Sequence, residues 1–262
     1  MVASDLHDCV CCLRDRLPLV VARNRNRCAA AHHQWLRDDR EAASGMKRLH
    51  FIYLGGEFSW QNWRAIETAK VHDADETIVW CAEPLETETF SYPVQFRGLT
   101  VPDWIRNHRV QLANVKDLYL WRIMRRWGGL YLDLDTVSIR PAWDLLEHDI
   151  VVSDEGHEEH PYNCAATIGR AGAKLFHWME RACYRMLKAG VGRWGSLGPH
   201  LLTETIRKFP SSFDIAPQGV LNGWREGDRS WFNGAPVADG TRVVHLYSSN
   251  WPDLFLADRR MP

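Results

Sequence analysis

The sequence predicts one α/β domain, and three observations carry the prediction. The first is a strand, glycine turn, helix, strand succession across residues 49–80, the βαβ pattern of a nucleotide-binding sheet. The second is an amphipathic helix that stops at Gly128-Gly129 and hands over to the apolar segment Leu130-Tyr131-Leu132, which ends in Asp133 and Asp135. The third is continuity: 262 residues suit one large domain, and no Pro/Gly/Ser-rich linker divides them.

The opening unit reads clearly. Leu49-His50-Phe51-Ile52-Tyr53-Leu54 is a buried-strand run stopped by Gly55-Gly56. Ser59 is placed to cap a helix with Trp63 and Ile66 on one face, and Thr77-Ile78-Val79-Trp80 is the second strand. These glycines form no G-x-G-x-x-G, and no GxxxxGK phosphate loop is present, so neither cradle holds a nucleotide at this first turn. Pro84, Pro93 and Pro102 break the next stretch into short pieces. A helix follows over about 110–127, where Leu112, Val115, Tyr119, Ile123 and Trp127 keep a 3.6-residue period and Asp117 lies at the edge of the apolar face. Gly128-Gly129 ends it.

Leu130 to Asp135 is then expected to be a strand that delivers two carboxylates, with Thr136 to Ile139 extending it to Pro141. Asp149 to Ser153 is a further strand, Asp154 to His160 a solvated loop, and Asn163 to Ile168 a buried segment. Lys174 to Lys188 is amphipathic, and Gly198-Pro199 opens another helix, with proline suited to its first turn. A short strand is expected within Phe213 to Leu221 and a late one over Thr241 to Leu246.

Residues 1–45 differ in character, with poor periodicity and a polar run, Arg23-Asn24-Arg25-Asn26-Arg27. Cys9, Cys11 or Cys12, Cys28 and His32 or His33 suggest a small metal site, but their spacing fits no familiar zinc pattern. The reading adopted is an irregular extension, with the domain proper running over 46–262. Cys81, Cys164 and Cys183 sit in apolar contexts and read as reduced core residues, which points to a reducing, cytoplasmic compartment. No apolar run approaches the roughly 20 residues that cross a bilayer, and none at the N-terminus resembles a signal peptide. A net charge of −1 gives no global pull toward nucleic acid. Thirteen tryptophans are many, and most are assigned to the core.

Asp133 and Asp135 are the candidate catalytic pair. Alternate strand residues face one side, and like charges so close call for a cation between them. A hard, oxygen-seeking ion, Mn²⁺ or Mg²⁺, fits, and such an ion suits a phosphate-bearing ligand. Two chemistries use this arrangement. In glycosyl transfer, the ion grips the diphosphate of a sugar nucleotide and neutralises the leaving group. In phosphoryl transfer by an aspartyl nucleophile, Asp133-Leu134-Asp135-Thr136-Val137 spells the D-x-D-x-T/V core of haloacid-dehalogenase-type phosphatases. That motif usually sits on a first strand, whereas here two strands and two helices precede it.

Asp117 followed by Gly128-Gly129-Leu130-Tyr131-Leu132-Asp133-Leu134-Asp135 resembles the signature of glycosyltransferases with the DXD sugar-binding region. These include the initiating mannosyltransferase type, capsular polysaccharide transferases and, more distantly, the large glucosylating toxins. His50 to Gly56 resembles that family's first strand, Gly198-Pro199 its helix start, and His245 with Ser249-Asn250-Trp251 its closing segment. The resemblance spans roughly residues 47–252. It implies a GT-A fold, a single Rossmann-like α/β domain with a mixed central sheet flanked by helices. It implies a retaining transferase that moves a hexose from a nucleoside-diphosphate sugar donor to a glycan or other hydroxyl acceptor. Asp135 would bind the metal, and Asp133 the metal or the donor ribose and sugar. Asp117 would bond sugar hydroxyls, Tyr53 with Leu54 would meet the nucleotide base, and Asn163 would face donor or acceptor. His245 or Ser249 would complete the metal site, and Trp251 would touch the diphosphate. The family's arginine three residues after the helix aspartate is Leu120 here, with Arg122 as the replacement. The same departure leaves an inactive sugar-binding relative as an alternative.

Overall fold

The computed structural model describes residues 45–56, 58–83, 90–106, 111–147, 149–191, 193–223 and 236–247. The expected N-terminal extension and its Cys/His candidates lie outside the described residues, Gly45 excepted.

The chain opens with the expected βαβ unit. All six residues of β1 (Arg48–Tyr53) are buried. Ser59 caps α1 (Trp60–Thr68) through a reciprocal box: its Oγ accepts from Asn62 N, and the Asn62 side chain accepts from Ser59 N at 3.0 Å. A 3-10 turn, Ala69–His72, leads to β2 (Glu76–Cys81), which pairs parallel with β1 from Arg48↔Glu76 to Tyr53↔Cys81. β3 (Gln95–Gly98) adds a parallel edge strand beside β2. It is mostly exposed, so it lacks the apolar run that marks a strand in sequence.

After α2 (Asp103–Arg106), α3 (Leu112–Trp127) crosses back and enters β4 (Gly129–Leu132). Then come β5 (Thr136–Ser138), β6 (Ile150–Asp154) and β7 (Tyr162–Gly169). The helices α4 (Lys174–Lys188) and α5 (Pro199–Lys208) follow, then β8 (Phe213–Ala216) and β9 (Val243–His245). The central sheet has seven strands in the order β3-β2-β1-β4-β7-β6-β8. It is mixed: β3, β2, β1 and β4 are mutually parallel, β7 runs against both β4 and β6, and β8 is parallel to β6. Strands β5 and β9 form a separate antiparallel pair.

Period-two alternation divides the core between the two faces. Ile52, Ile78, Trp80, Tyr131 and Val152 pack with α3, α4 and α5. Leu49, Phe51, Val79, Leu130 and Leu132 pack with Ala65, Ile66 and Ala69 of the α1 side. The α/β architecture with a mixed sheet flanked by helices is as the sequence led us to expect. Cys81, Cys164 and Cys183 are free and buried. Among the described residues no helix is long and apolar enough to cross a membrane.

Two buried histidines tie the layers together. His50 Nδ1 accepts from Trp80 Nε1 at 3.2 Å, so its Nε2–H donates to the Gly128 carbonyl at 2.9 Å. His72 Nε2 meets Ser138 Oγ at 3.0 Å, fastening the α1 side to β5. Burial lowers the pKa of His50 to about 3 and that of His72 to about 4, from 6.5. Both therefore fold as neutral bases, and between these values and 6.5 the unfolded chain binds more protons than the folded one. Their contribution is complete above 6.5 and is lost as pH falls toward 4. Each adds a slope of up to ~1.4 kcal/mol per pH unit. Urea unfolding from pH 7 down to pH ~4.5 should show stability falling with this sign. His72→Gln should reduce the slope by one proton; an unchanged slope would contradict a neutral buried His72.

Candidate functional site

Strand β1 hands the chain to β2 on one side, and the chain returns as β4 on the other, paired Leu49↔Leu130 and His50↔Tyr131. This is a topological switch point, and α/β sheets bind ligands in the crevice beyond the carboxyl ends of strands at such a point. Tyr53 ends β1 there, and Asp133 follows β4 there. The approach depends on two glycines. Gly128 and Gly129 have φ of +60° and +99°, and a Cβ on Gly129 would overlap the Arg48 carbonyl oxygen.

The two aspartates do not share a strand face, which corrects the expectation from sequence. β4 ends at Leu132, and Asp133 to Asp135 form a turn. The Asp133 carbonyl accepts from Thr136 N at 3.2 Å and Thr136 Oγ1 at 2.8 Å, which closes the turn. Neighbouring elements pin it. Asp133 N donates to Ala165 O on β7, Asn62 Nδ2 of α1 donates to Leu134 O, and Leu246 N beyond β9 donates to Asp135 O. The β5–β9 register sets Thr136 opposite His245, which brings His245 Nε2 to 3.3 Å from Asp135 Oδ1. One ligand atom from each of Asp133, Asp135 and His245 lies within 4.8 Å of the others. A set of two carboxylate oxygens and one imidazole nitrogen suits Mn²⁺ or a similar divalent ion.

Asn163 supports this group from behind. Its Oδ1 accepts from Ala165 N at 2.6 Å, so its amide hydrogens face Glu155 Oε1 at 2.8 Å and His245 Nδ1 at 3.2 Å. His245 Nδ1 is the acceptor when Nε2–H points at Asp135; to ligate an ion through Nε2 the ring must carry its proton on Nδ1, with the Asn163 amide turned to accept it. Burial works against a charged His245, but Asp135, then Asp133 and Glu155, outweigh it and raise its pKa. Glu155 belongs to the stretch expected to be a solvated loop. It is buried instead, as is His160, whose Nδ1 lies 4.0 Å from Glu155 Oε2. An acidic, polar run carries no sequence mark of which member turns inward.

Helix α3 contributes a residue that sequence reading missed. Lys116 Nζ lies 2.8 Å from both Asp133 oxygens, and the Tyr131 hydroxyl also donates to Asp133 Oδ1. Asp117 is buried, 3.7 Å from the same Nζ. A Cβ on Gly198 would stand 2.5 Å from its Oδ2, so the glycine before α5 is what lets that segment close over the carboxylate. Burial pushes the Asp117 pKa up to about 6 against the pull of Lys116. Burial also disfavours the Lys116 ammonium, yet Asp133, Tyr131 and Asp117 hold its pKa well above that of a free lysine. The signal for Lys116 was available in the helical period: it lies one turn before Leu120, on the same face.

The other candidates are placed variously. Leu120 is fully buried in the core. Arg122 does not take its place beside the carboxylates: its Nε donates to Glu180 Oε1 at 2.8 Å, next to an Arg125–Glu180 contact at 2.7 Å, and these pairs join α3 to α4. Five residues beyond Asp117, it is turned roughly 140° around the helix. Tyr53 is buried, its hydroxyl donates to Gly56 O at 2.5 Å, and its ring meets Phe58 edge-on. Leu54 is partly buried against the α3-side core. Ser249 and Trp251 lie outside the described residues.

No family model matches this chain, and no match exists among curated proteins. Among solved structures, PaToxG Glycosyltransferase is similar over 72% of this chain and 81% of that one, at 14% identity and a TM-score of 0.48.

Asn163→Leu keeps the volume but strands Glu155, His245 Nδ1 and Ala165 N–H without their partner. Chemical denaturation should show a loss of about 1–3 kcal/mol; an unchanged midpoint would mean that these groups find other partners.

Proposed function

We propose that this chain is a metal-dependent, retaining glycosyltransferase that moves a hexose from a nucleoside-diphosphate sugar to a glycan or other hydroxyl acceptor. The observation that supports it best is the convergence of Asp133, Asp135 and His245 on one spot at the carboxyl edge between β1 and β4. Asp135 and His245 would hold the divalent ion, Mn²⁺ or Mg²⁺. When bound, the ion supplies Lewis-acid neutralisation of the diphosphate leaving group.

The remaining roles fall to the chain's own groups. Asp133 and Asp117 lie side by side around Lys116, where carboxyl oxygens can orient ribose and sugar hydroxyls. Tyr53 and Leu54 border the crevice on the β1 side, where the base would lie. Asn163 fixes the His245 ring and has no hydrogen left over for a sugar, so its role is positioning. Ser249 and Trp251 are proposed to close over the diphosphate. The phosphatase alternative is disfavoured: its D-x-D motif usually sits on a first strand, whereas Asp133 here follows β4.

Thermal unfolding with UDP and with GDP, each with and without Mn²⁺, tests this reading. A ligand of the native state raises apparent stability by mass action, about 2.7 kcal/mol at a hundredfold excess over Kd. One nucleotide should stabilise the protein in an Mn²⁺-dependent way, and Asp135→Asn should remove the effect. Stabilisation by neither nucleotide, in any metal, would contradict the proposal. Release of nucleoside diphosphate from the matching sugar donor separates an enzyme from an inactive sugar-binding relative.

A further inference from the structure

We infer that Lys116 is a built-in cation of the donor site, a positioning residue that holds Asp133 and keeps it out of direct contact with the metal, leaving Asp135 and His245 to carry the ion. The inference rests on the metal reading proposed above and refines it.

The geometry divides the triad unevenly. The Lys116 ammonium bonds both Asp133 oxygens at 2.8 Å, and the Tyr131 hydroxyl takes Oδ1 as well. Every Asp133 oxygen therefore already has a charge-assisted partner, the stronger kind of hydrogen bond. Asp135 meets the site through His245 instead, at 3.3 Å. A dication placed against Asp133 would have to displace the ammonium or sit beside it, and like charges a few ångströms apart repel by ~1 kcal/mol or more even in water.

The lysine has little freedom to leave. It stands mid-way along the first half of α3, its side chain is 23% exposed, and Asp117 waits at 3.7 Å on its other side. Moving away would leave Asp133 and the buried Asp117 facing each other with no cation between them. Lys116 and a dication together bring three positive charges against the three carboxylates of Asp133, Asp117 and Asp135, so the site presents no net negative charge from these groups to a diphosphate. A lysine in place is also a fixed charge: it remains when the ion departs with product.

The test is Mn²⁺ titration of the full chain, following the free-ion EPR signal, in five variants beside the wild type. Outer-shell partners of metal ligands are typically worth about 10–100-fold in affinity, and a direct ligand is worth at least as much. Asp135→Asn should therefore weaken Mn²⁺ binding at least about tenfold, and Asp133→Asn, at a carboxylate whose oxygens are held by Lys116 and Tyr131, less than about threefold. Lys116→Met should tighten binding by about tenfold, because the freed Asp133 turns to the ion and a repelling charge is gone. Adding Asp133→Asn to Lys116→Met should cancel that gain, and Lys116→Arg should behave as wild type. A purely structural lysine would not tighten metal binding when removed. Equal losses from Asp133→Asn and Asp135→Asn in the wild-type background would overturn the inference while leaving the metal site intact. So would an unchanged affinity in a folded Lys116→Met. A wild type that binds no Mn²⁺ would overturn the metal reading itself and this inference with it. If Lys116→Met does not fold, the comparison of the two asparagine variants decides alone.

Discussion

The site depends on the hydrogen bonds that pin the Asp133–Asp135 turn. Three separate parts of the chain grip its backbone, Ala165 on β7, Asn62 on α1 and Leu246 after β9, and Thr136 at the start of β5 closes it. The grip matters because the turn gathers charges that would otherwise drive one another apart. A short segment free to relax would separate Asp133 from Asp135. Held on several sides, it presents both to one place and leaves their repulsion to be offset by chemistry. The two-glycine junction serves the same end, since only a junction without side chains lets α3 and β4 pass so close to β1.

The offset is distributed. Lys116 and Tyr131 answer Asp133 from the α3 side of the sheet, and His245, steadied by Asn163 and Glu155, answers Asp135 from the β9 side. Asp117 lies beneath Gly198, where burial has raised its pKa to about 6. Perturbed groups gathered in a crevice at a strand switch point are what a functional site looks like physically, although structural ion pairs perturb such groups too. The Arg122–Glu180–Arg125 group is an instance of the second kind, joining two helices.

Much of this was legible in the sequence, wherever the determinant is local. The Ser59 cap, the glycine end of α3, the bounds of α4 and the proline start of α5 are written in neighbouring residues and appear as read. So does the apolar run of β1. That Asp133, Asp135 and His245 belong to one group was suggested by their pattern and its resemblance, but not the way they meet. The carboxylates converge through a turn and through the β5–β9 register, contacts made across more than a hundred residues. Lys116 was missed although its period places it on the face of Leu120, because a lysine on a helix reads as solvated until the partner it faces is known. Glu155 and β3 failed in opposite directions, one a buried acid in a polar run, the other an exposed strand without an apolar run.

The central claim is that one divalent ion joins His245 to the diphosphate of a bound nucleotide. Electron–nuclear double resonance on the Mn²⁺ complex with UDP or GDP reads both contacts at once. The account predicts a nitrogen coupling that disappears in His245→Ala, together with phosphorus couplings from the same ion. Phosphorus couplings without the histidine nitrogen would place the ion elsewhere and contradict it.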